Sequence, residues 1–573
     1  MDIKGKTVLI LGAWGLVGSA IARRIVQEKP KNIIIASLKQ WEAEEAVAKL
    51  KEEFPELGDN FFIPWWGNIF VRDEFKDMSR EEILSDPERR RILINEIIGE
   101  LTDETLKHSA LYKLLNQFAP EIVIDCINTA TAIAYQNIFT IATEVLNSID
   151  KFKNSDGKKE KENLIELTER LLATLYIPQI IKHVQILYRS MQEVGTKIYV
   201  KIGTSGTGGM GLNIPYTHSE ERPSRVLLSK SAVAGAHTLL LFLMGRTPDA
   251  PITKEIKPTA AIAWKKIGFG EIKFQGKPVE LIDCPPDKAF KLKGTLELRI
   301  TENNFEKLNE TLKSVFIDTG ENGLFSRAEF ETLSTPGQME YVTPEEIAET
   351  VIFEIKGGNT GHDIINALDH ATLEPTYRAG FLTEFALKKM RELEKQYNVE
   401  SIAFELLGPP RLSKLLYEAH LLKLAYGSME NAVKQDPKDM SQKCAEIIKS
   451  NKKLRAQIIS IGIPILMPDG ETLIRGNEIK IPPYRGENTV EITPEKINHW
   501  AYDGWVDLRV ENMEVWKRRF EQIIKETQLI PPGDTSSRAV RTKDYWEDFK
   551  TINEGKLAGW ILDREERGMR MKA

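Results

Sequence analysis

Short, strongly apolar runs alternate with stretches of helical periodicity through the first half of the chain. Such alternation is typical of parallel strands that are joined by crossover helices. The pattern therefore predicts an α/β fold built on a doubly wound parallel sheet. The predicted strands are residues 7–11, 32–36, 61–65, 122–127, 197–202 and 259–264.

The pattern changes after residue 270. Short alternating segments predict a β-containing insertion over 271–338, which we expect to form a substrate lobe within a nucleotide-binding domain of residues 1–375. From residue 376 to 573, long amphipathic stretches predict a second, mainly α-helical domain. The charged stretch 151–162 cannot bury one face and is predicted to be a solvated loop.

Composition narrows the class of protein. The 573 residues are 42% hydrophobic and 28% charged, as in soluble globular proteins, and the net charge of −6 disfavours a nucleic-acid partner. Three widely spaced cysteines fit neither a disulfide framework nor a zinc site, so we expect no metal and a cytoplasmic protein. The longest apolar stretch, 232–244, is too short for a membrane span, which needs about 20 residues, and predicts a buried helix.

A glycine-rich turn follows the first predicted strand. Gly12 permits a tight turn, Gly15 permits close approach of a pyrophosphate, and Gly18 permits packing of the next helix on the strand. Unsatisfied N–H groups at a helix N-terminus favour a phosphate pair. The position of this motif predicts a dinucleotide site that also includes Trp14, Leu16 and Val17.

The end of the second predicted strand selects between the two nicotinamide dinucleotides. A carboxylate there would accept a hydrogen bond from the ribose 2′-hydroxyl and repel a 2′-phosphate. The first acidic residue in this segment is Glu42, whereas Ser37 and Lys39 can bind a phosphate. NADP(H) is therefore predicted as the cofactor, and NAD(H) is the alternative.

These motifs resemble those of the short-chain dehydrogenase/reductase superfamily, in particular its extended branch. The resemblance runs from the first strand to about residue 370. It implies an adenine-binding turn at Asn68 and Ile69, although the family's usual aspartate is Asn68 here. It also implies that the backbone of Asn128, Thr129 and Ala130 lies along the cofactor.

The resemblance also implies where catalysis occurs. Thr204 and Ser205, after the fifth strand, would polarise a substrate oxygen, and Lys230 would bind the nicotinamide ribose. The family's proton-donating tyrosine lies four residues before the lysine, but this position is Val226. An aliphatic side chain cannot transfer a proton, so Tyr216 is the candidate donor and His218 is a second one.

These observations lead to three hypotheses. The first is an atypical NADP(H)-dependent oxidoreductase that acts on a carbonyl or alcohol group of a large, unusual or conjugated small-molecule substrate, as a homodimer if the 232–244 helix mediates dimerisation. The second is a nucleotide-sugar epimerase or dehydratase with a tightly bound cofactor. The third is an NADP-binding sensor or scaffold without catalytic activity.

Overall fold

The computed structural model describes most of the chain. Contacts divide it into two compact units, and among the described residues unit 1 falls within Met1–Gly209, Pro223–Ala263 and Glu340–Ala379, whereas unit 2 falls within Trp264–Met339 and Gly380–Ala573. The segment expected to form an insertion, 271–338, therefore packs as part of unit 2. The described residues are 1–134, 136, 138–154, 157–203, 225–258, 263–274, 276–300, 305–320, 323–336, 338, 342–358, 369–373, 376–406, 410–484, 486–534 and 539–566.

Unit 1 is built on a seven-stranded sheet in the order β16-β6-β5-β4-β1-β2-β3, with every neighbouring pair parallel. The order reverses between β1 and β4, as in doubly wound nucleotide-binding folds. The predicted fold class is confirmed. Its strands are β1 (Thr7–Leu11), β2 (Asn32–Ser37), β3 (Phe62–Trp66), β4 (Ile122–Asp125), β5 (Ile198–Ile202), β6 (Ile252–Pro258) and β16 (Asp369–Leu373).

Helices cover both faces of this sheet. Apolar residues of β1, β2 and β4 pack on one face against α1 and α13, and on the other face against α6, α10 and α11. The helices of unit 1 are α1 (Leu16–Val26), α2 (Gln40–Glu53), α3 (Arg80–Ser85), α4 (Pro87–Ile98), α5 (Asp103–His108), α6 (Ala110–Phe118), α7 (Thr129–Ala134), α8 (Ile138–Asn154), α9 (Lys158–Ala173), α10 (Tyr176–Val194), α11 (Arg225–Gly245) and α13 (Pro344–Ile355).

Two sequence predictions about unit 1 differ from the structure. The sixth strand is β6, which precedes the predicted residues 259–264, and residues 259–262 lie outside the part of the chain that the structure describes. β6 carries charged residues in ion pairs that a hydrophobicity pattern does not reveal: Lys254 contacts Glu354, and Lys257 contacts Glu255. The segment 151–162 is not a loop, because α8 and α9 extend into it from both sides and pack against each other.

Helix α11 is apolar but only partly buried. The segment Leu228–Gly245 has a mean hydropathy of 1.3, and 33% of it is buried. Judged by length and composition alone, this helix of the described part of the chain is long and apolar enough to cross a membrane. Leu241 and Met244 are buried, whereas Leu239 and Leu243 are exposed. The predicted buried helix therefore has one covered face and one open face.

Unit 2 combines short strands with long helices. Antiparallel pairs such as β7 with β14 form several small sheets, and α15, α17, α20 and α21 pack together as a helical layer. Its strands are β7 (Lys266–Glu271), β8 (Lys273–Phe274), β9 (Lys277–Pro278), β10 (Glu280–Asp283), β11 (Phe290–Lys291), β12 (Thr295–Glu297), β13 (Glu306–Thr311), β14 (Lys313–Asp318), β15 (Leu324–Phe325), β17 (Ile465–Leu466), β18 (Thr472–Ile474), β19 (Thr489–Glu491) and β20 (Val506–Asp507). Its helices are α12 (Arg327–Leu333), α14 (Tyr377–Tyr397, which begins in unit 1), α15 (Pro410–Tyr426), α16 (Met429–Ala432), α17 (Pro437–Ser450), α18 (Lys452–Ser460), α19 (Pro494–Gly504), α20 (Val510–Gln528) and α21 (Glu554–Arg564).

Candidate active site

The predicted cofactor residues converge at the carboxyl ends of four neighbouring strands. The backbone N–H groups of Gly12 and Ala13 donate to the Ala36 carbonyl at 2.9 and 3.0 Å, and the Cys126 N–H donates to the Leu11 carbonyl at 2.9 Å. The ends of β1, β2 and β4 are thereby held side by side. In doubly wound sheets, ligands bind at this edge, where the strand order reverses.

Each glycine of the turn occupies a position that restricts a side chain. Gly12 has φ +77°, and a Cβ there would lie 3.2 Å from the Cys126 carbonyl carbon after β4. A Cβ on Gly18 would lie 2.8 Å from the Ala13 Cα, so helix α1 can pack this close only without one. A Cβ on Gly15 would approach only the Gly12 carbonyl oxygen, at 3.3 Å. Gly15 is therefore the glycine of the turn at which neighbouring protein atoms restrict a side chain least.

The second strand supports the turn directly. The Ser37 hydroxyl is buried and accepts a hydrogen bond of 3.3 Å from the Trp14 backbone N–H, while the Trp14 indole donates to Glu45 at 3.0 Å. Lys39 is exposed just beyond the strand. Ser37 therefore helps to hold the glycine turn in place, and Lys39 is an exposed cation next to the carboxyl end of β2.

The turns after β3 and β4 border the same edge. Asn68 accepts a hydrogen bond of 3.0 Å from the Phe70 N–H, and Ile69 is buried in the core. After β4, Asn128 is exposed and accepts from the Thr131 N–H at 3.1 Å, whereas Thr129 and Ala130 are buried at the start of α7. Leu16 and Val17 are half-buried in the first turn of α1.

A row of charged residues crosses the next three strands at the same level. In the strand register Asp125 of β4 pairs with Lys201 of β5, and Lys201 pairs with Glu255 of β6. Paired residues of parallel strands project to the same face, and all three are at least 98% buried. We call this set the charged row.

Lys201 connects the charged row to the turn after β4. Its ammonium lies 2.9 Å from an Asp125 carboxylate oxygen and donates to the Ile127 carbonyl at 2.6 Å and to the Thr129 hydroxyl at 3.2 Å. The Tyr199 hydroxyl donates to the same Asp125 oxygen at 2.7 Å. Burial and the Asp125 charge raise the pKa of Tyr199 well above its usual value, so this tyrosine is a neutral hydrogen-bond donor.

Glu255 lies against the end of β5. One of its carboxylate oxygens lies 2.9 Å from the Lys257 ammonium and accepts from the Thr238 hydroxyl at 3.3 Å. A Cβ on Gly203 would collide with this carboxylate and would lie 3.1 Å from the Lys257 ammonium. The Glu255–Lys257 ion pair therefore leaves no space for a side chain at residue 203, the residue before Thr204 in the sequence.

Two buried histidines accompany the charged row. The His183 and His237 rings, from α10 and α11, have centroids 6.1 Å apart. Burial lowers the pKa of His183 to about 4 and that of His237 well below its usual value, so both imidazoles are neutral near pH 7. Within the described residues, the Nε2 atom of each ring and one oxygen of Glu255 have no hydrogen-bond partner. Buried polar atoms of this kind normally bind water or a ligand.

The predicted catalytic residues are described only in part. Lys230 is buried in α11, on the same helical face as His237 two turns later. Thr204, Ser205, Tyr216 and His218 lie outside the described residues, and so does the side chain of Val226. Sequence reasoning did not single out the charged row, whose signal is one charged residue in each of the apolar strands β4 and β5 and a charged stretch in β6.

Comparison with known families adds independent information. Residues 281–566 match the model of the beta-methylindole-3-pyruvate reductase C-terminal domain. Over this range the chain is similar to the C-terminal domain of that reductase. The prediction of an oxidoreductase is thereby confirmed, and a search of curated proteins gives no significant match.

Solved structures resemble parts of the chain at low identity. A short-chain dehydrogenase/reductase from Serratia marcescens BCRC 10948 is 12% identical with a TM-score of 0.29, over 65% of this chain and 98% of that chain. A short-chain dehydrogenase from Burkholderia cenocepacia J2315 in complex with NADP is 12% identical with a TM-score of 0.27, over the same shares. Pen from Bacillus thuringiensis is 14% identical with a TM-score of 0.21 over 45% of this chain and 52% of Pen, so this match spans about half of Pen. The strand order of unit 1 itself is the one that a short-chain dehydrogenase/reductase fold implies.

Proposed function

We propose that the protein is an NADP(H)-dependent reductase that converts the carbonyl group of a 2-oxo acid with a large aromatic side chain into a hydroxyl group. The observation that supports cofactor binding most strongly is the glycine cradle at the switch between β1 and β4, where Gly15 leaves room for a pyrophosphate. The substrate class follows from the name of the reductase whose C-terminal domain the chain resembles.

The cofactor would sit against residues that fit it. Gly12 to Gly18 would form the cradle, the N-terminus of α1 would face the phosphates, and the turn Asn128–Ala130 would border the nicotinamide side. When bound, NADPH supplies the hydride that adds to the carbonyl carbon, and one proton must reach the carbonyl oxygen. Lys230 would bind the nicotinamide ribose, and Thr204 and Ser205 would bind the substrate oxygen.

The proton donor is part of the proposal, because Val226 cannot serve. Tyr216 would donate the proton to the substrate oxygen, with His218 as the second candidate. A Tyr216→Phe variant should lower kcat by about 100-fold, in the range of general acid catalysis, without changing NADPH affinity. If His218→Asn lowers kcat and Tyr216→Phe does not, the donor is His218.

Discrimination between the two dinucleotides would depend on Lys39. A Lys39→Glu variant should weaken NADPH binding about tenfold and leave NADH binding nearly unchanged, since the lost contact is to the 2′-phosphate. Lys31→Glu, at the other end of β2, is the matched control. Equal effects of Lys39→Glu on both cofactors would contradict the preference for NADP(H).

The decisive experiment for the reaction follows NADPH oxidation with indole-3-pyruvate, phenylpyruvate and pyruvate. We expect turnover with the aromatic 2-oxo acids, a higher KM for pyruvate, and formation of the 2-hydroxy acid. Turnover of a nucleotide sugar with a retained cofactor would support the epimerase or dehydratase hypothesis instead. NADPH binding without turnover of any carbonyl compound would support the sensor hypothesis.

The open face of α11 favours assembly of two copies. Leu228, Leu239 and Leu243 are more than half exposed, and Leu146 of α8 is 63% exposed. Exposed apolar patches of this kind usually mark an interface. Leu239→Glu should convert a homodimer into a monomer in sedimentation analysis, whereas Leu424→Glu, at an exposed leucine of unit 2, should not.

A further inference from the structure

Neither the glycine turn nor the catalytic motif accounts for the charged row. Burying three charged residues at the edge of a sheet is unfavourable unless each charge is compensated, and hydrophobic residues would stabilise the fold equally well. Asp125 and Lys201 nevertheless lie at the carboxyl ends of β4 and β5, the edge where the proposed reaction would occur, and Glu255 lies beside Lys201 within β6. Their contacts extend to two regions next to these strands, the turn after β4 and the end of β5.

The first direction is toward the cofactor side. Lys201 donates to the Ile127 carbonyl and to the Thr129 hydroxyl, on both sides of Asn128, while Asp125 accepts from the Ile127 N–H at 2.9 Å. The ion pair thus fixes the turn after β4 through three contacts. Without it, the turn would keep its backbone hydrogen bonds and the Asn128–Thr131 contact but would lose its side-chain link to β5.

The second direction is toward the substrate side. Glu255 and Lys257 lie over Gly203, whose N–H donates to the Ile256 carbonyl at 2.8 Å. This arrangement fixes the end of β5, up to Gly203. The unpartnered Glu255 oxygen indicates that the carboxylate also faces a polar space.

We propose that the charged row positions both halves of the reaction site: Lys201 with Asp125 holds the cofactor turn, and Glu255 with Lys257 holds the end of β5. This inference rests on the proposed function. The four residues are positioning residues, because they act through Thr129 and Gly203 and not through direct contact with the reacting atoms. A displacement of about 1 Å in such a site can lower a rate about 100-fold.

The chain contains a matched control for the cofactor side. Lys254 of β6 is also buried and lies 2.7 Å from Glu354, but it pairs in register with Val200 and therefore projects to the opposite face, against α13. Lys201→Met and Lys254→Met each leave one buried carboxylate without its lysine. Both variants should lower the midpoint of urea unfolding to a similar extent.

The two variants should differ in NADPH binding. We expect Lys201→Met to raise the NADPH dissociation constant about tenfold and Lys254→Met to leave it within about twofold of the wild-type value. Fluorescence titration with NADPH measures both. Thr129→Val removes the hydroxyl that accepts a hydrogen bond from Lys201 but keeps the Lys201–Asp125 ion pair. It should raise the NADPH dissociation constant by a smaller factor, and it replaces Lys201→Met in this test if that variant does not fold.

The substrate side requires a separate test. Glu255→Gln should lower kcat about tenfold in the 2-oxo acid assay while the NADPH dissociation constant stays unchanged, and Glu354→Gln should change neither. Gly203→Ala, whose methyl group would collide with Glu255, should reproduce the loss of kcat.

The outcomes separate this inference from the function on which it rests. Equal NADPH affinities of Lys201→Met and Lys254→Met, or an unchanged kcat in both Glu255→Gln and Gly203→Ala, would overturn the positioning role and leave the reductase intact. Absence of NADPH binding by the wild-type protein would overturn the proposed function and this inference together.

Discussion

Both units bury a charge cluster, but the clusters are built differently. In unit 1 the charged row is set by strand register at the edge of a sheet. In unit 2 a single guanidinium, that of Arg327, lies 2.8 Å from Glu331, 2.8 Å from Glu394 and 3.2 Å from Glu554. These contacts join α12, α14 and α21, which are far apart in sequence.

The two clusters also differ in how completely their charges are compensated. Glu554 contacts Lys423 at 2.9 Å and His420 at 3.0 Å in addition to Arg327. Although burial opposes ionisation, the His420 hydrogen bond and the Arg327 charge keep the pKa of Glu554 well below its usual value. Glu400, His420 and Glu554 have the geometry of a metal-ligand set, but Arg327 and Lys423 already neutralise Glu554. The comparison favours a structural role for the Arg327 cluster in unit 2 and agrees with the proposed positioning role of the charged row in unit 1.

The largest expected effect concerns the scaffold. Arg327→Met removes the cation shared by three buried or nearly buried carboxylates, so unit 2 should lose about 3–5 kcal/mol of unfolding free energy. Urea denaturation measures this loss. NADPH affinity under native conditions should not change, and a weakened affinity would show that the two clusters are not functionally separate.

One pH effect on stability is expected in unit 2. Burial raises the pKa of Glu405 to about 7, against which the Lys480 charge acts weakly at 3.7 Å. The folded protein therefore binds this proton more tightly than the unfolded chain, whose glutamate titrates near 4.5. The contribution of Glu405 to stability is present below pH 4.5 and is lost as the pH rises through about 7.

Glu405→Gln tests this pH dependence, because the amide cannot ionise. The stability of the variant, measured by urea unfolding from pH 4.5 to 8, should fall less with pH than that of the wild-type protein. Identical slopes for the two proteins would show that Glu405 is ionised throughout this range.

The smallest expected effect comes from single hydroxyl groups. The Tyr199 hydroxyl donates to Asp125 in the charged row, and the buried Tyr417 hydroxyl of unit 2 donates to the Ala403 carbonyl at 3.2 Å. Each Tyr→Phe substitution should lower stability by about 1 kcal/mol. Only Tyr199→Phe should also weaken NADPH binding, by less than Lys201→Met does. Equal NADPH affinities in the two variants would weaken the distinction between the clusters.

Local patterns in the sequence were sufficient to predict strands β1 to β5 and the glycine turn. β1 and β2 are nearly continuous apolar runs, and the neighbours that restrict Gly15 and Gly18 lie within the same turn. β6 was missed because Lys254, Glu255 and Lys257 interrupt its apolar pattern. The partner of Lys254 is Glu354, 100 residues away in the sequence, and the partner of Glu255 is Lys257 on the same strand.

The charged row could not be predicted for a related reason. Asp125, Lys201 and Glu255 are separated by 50 residues or more, and only the register of three parallel strands brings them to one level. The same holds for Arg327 and Glu554, whose contact spans 227 residues. Long-range ion pairs have no periodicity, so hydrophobic patterning does not detect them.

The central claim is that the glycine turn of unit 1 binds NADP(H), and Gly15 offers its most direct test. A side chain there meets only the Gly12 carbonyl oxygen, so Gly15→Val should fold with nearly the wild-type unfolding midpoint. In a fluorescence titration, the wild-type protein should bind NADPH, and Gly15→Val should bind it at least about 100-fold more weakly, because the side chain occupies the space of the pyrophosphate. Equal NADPH affinity of the two proteins, or no binding by the wild-type protein, would contradict the account.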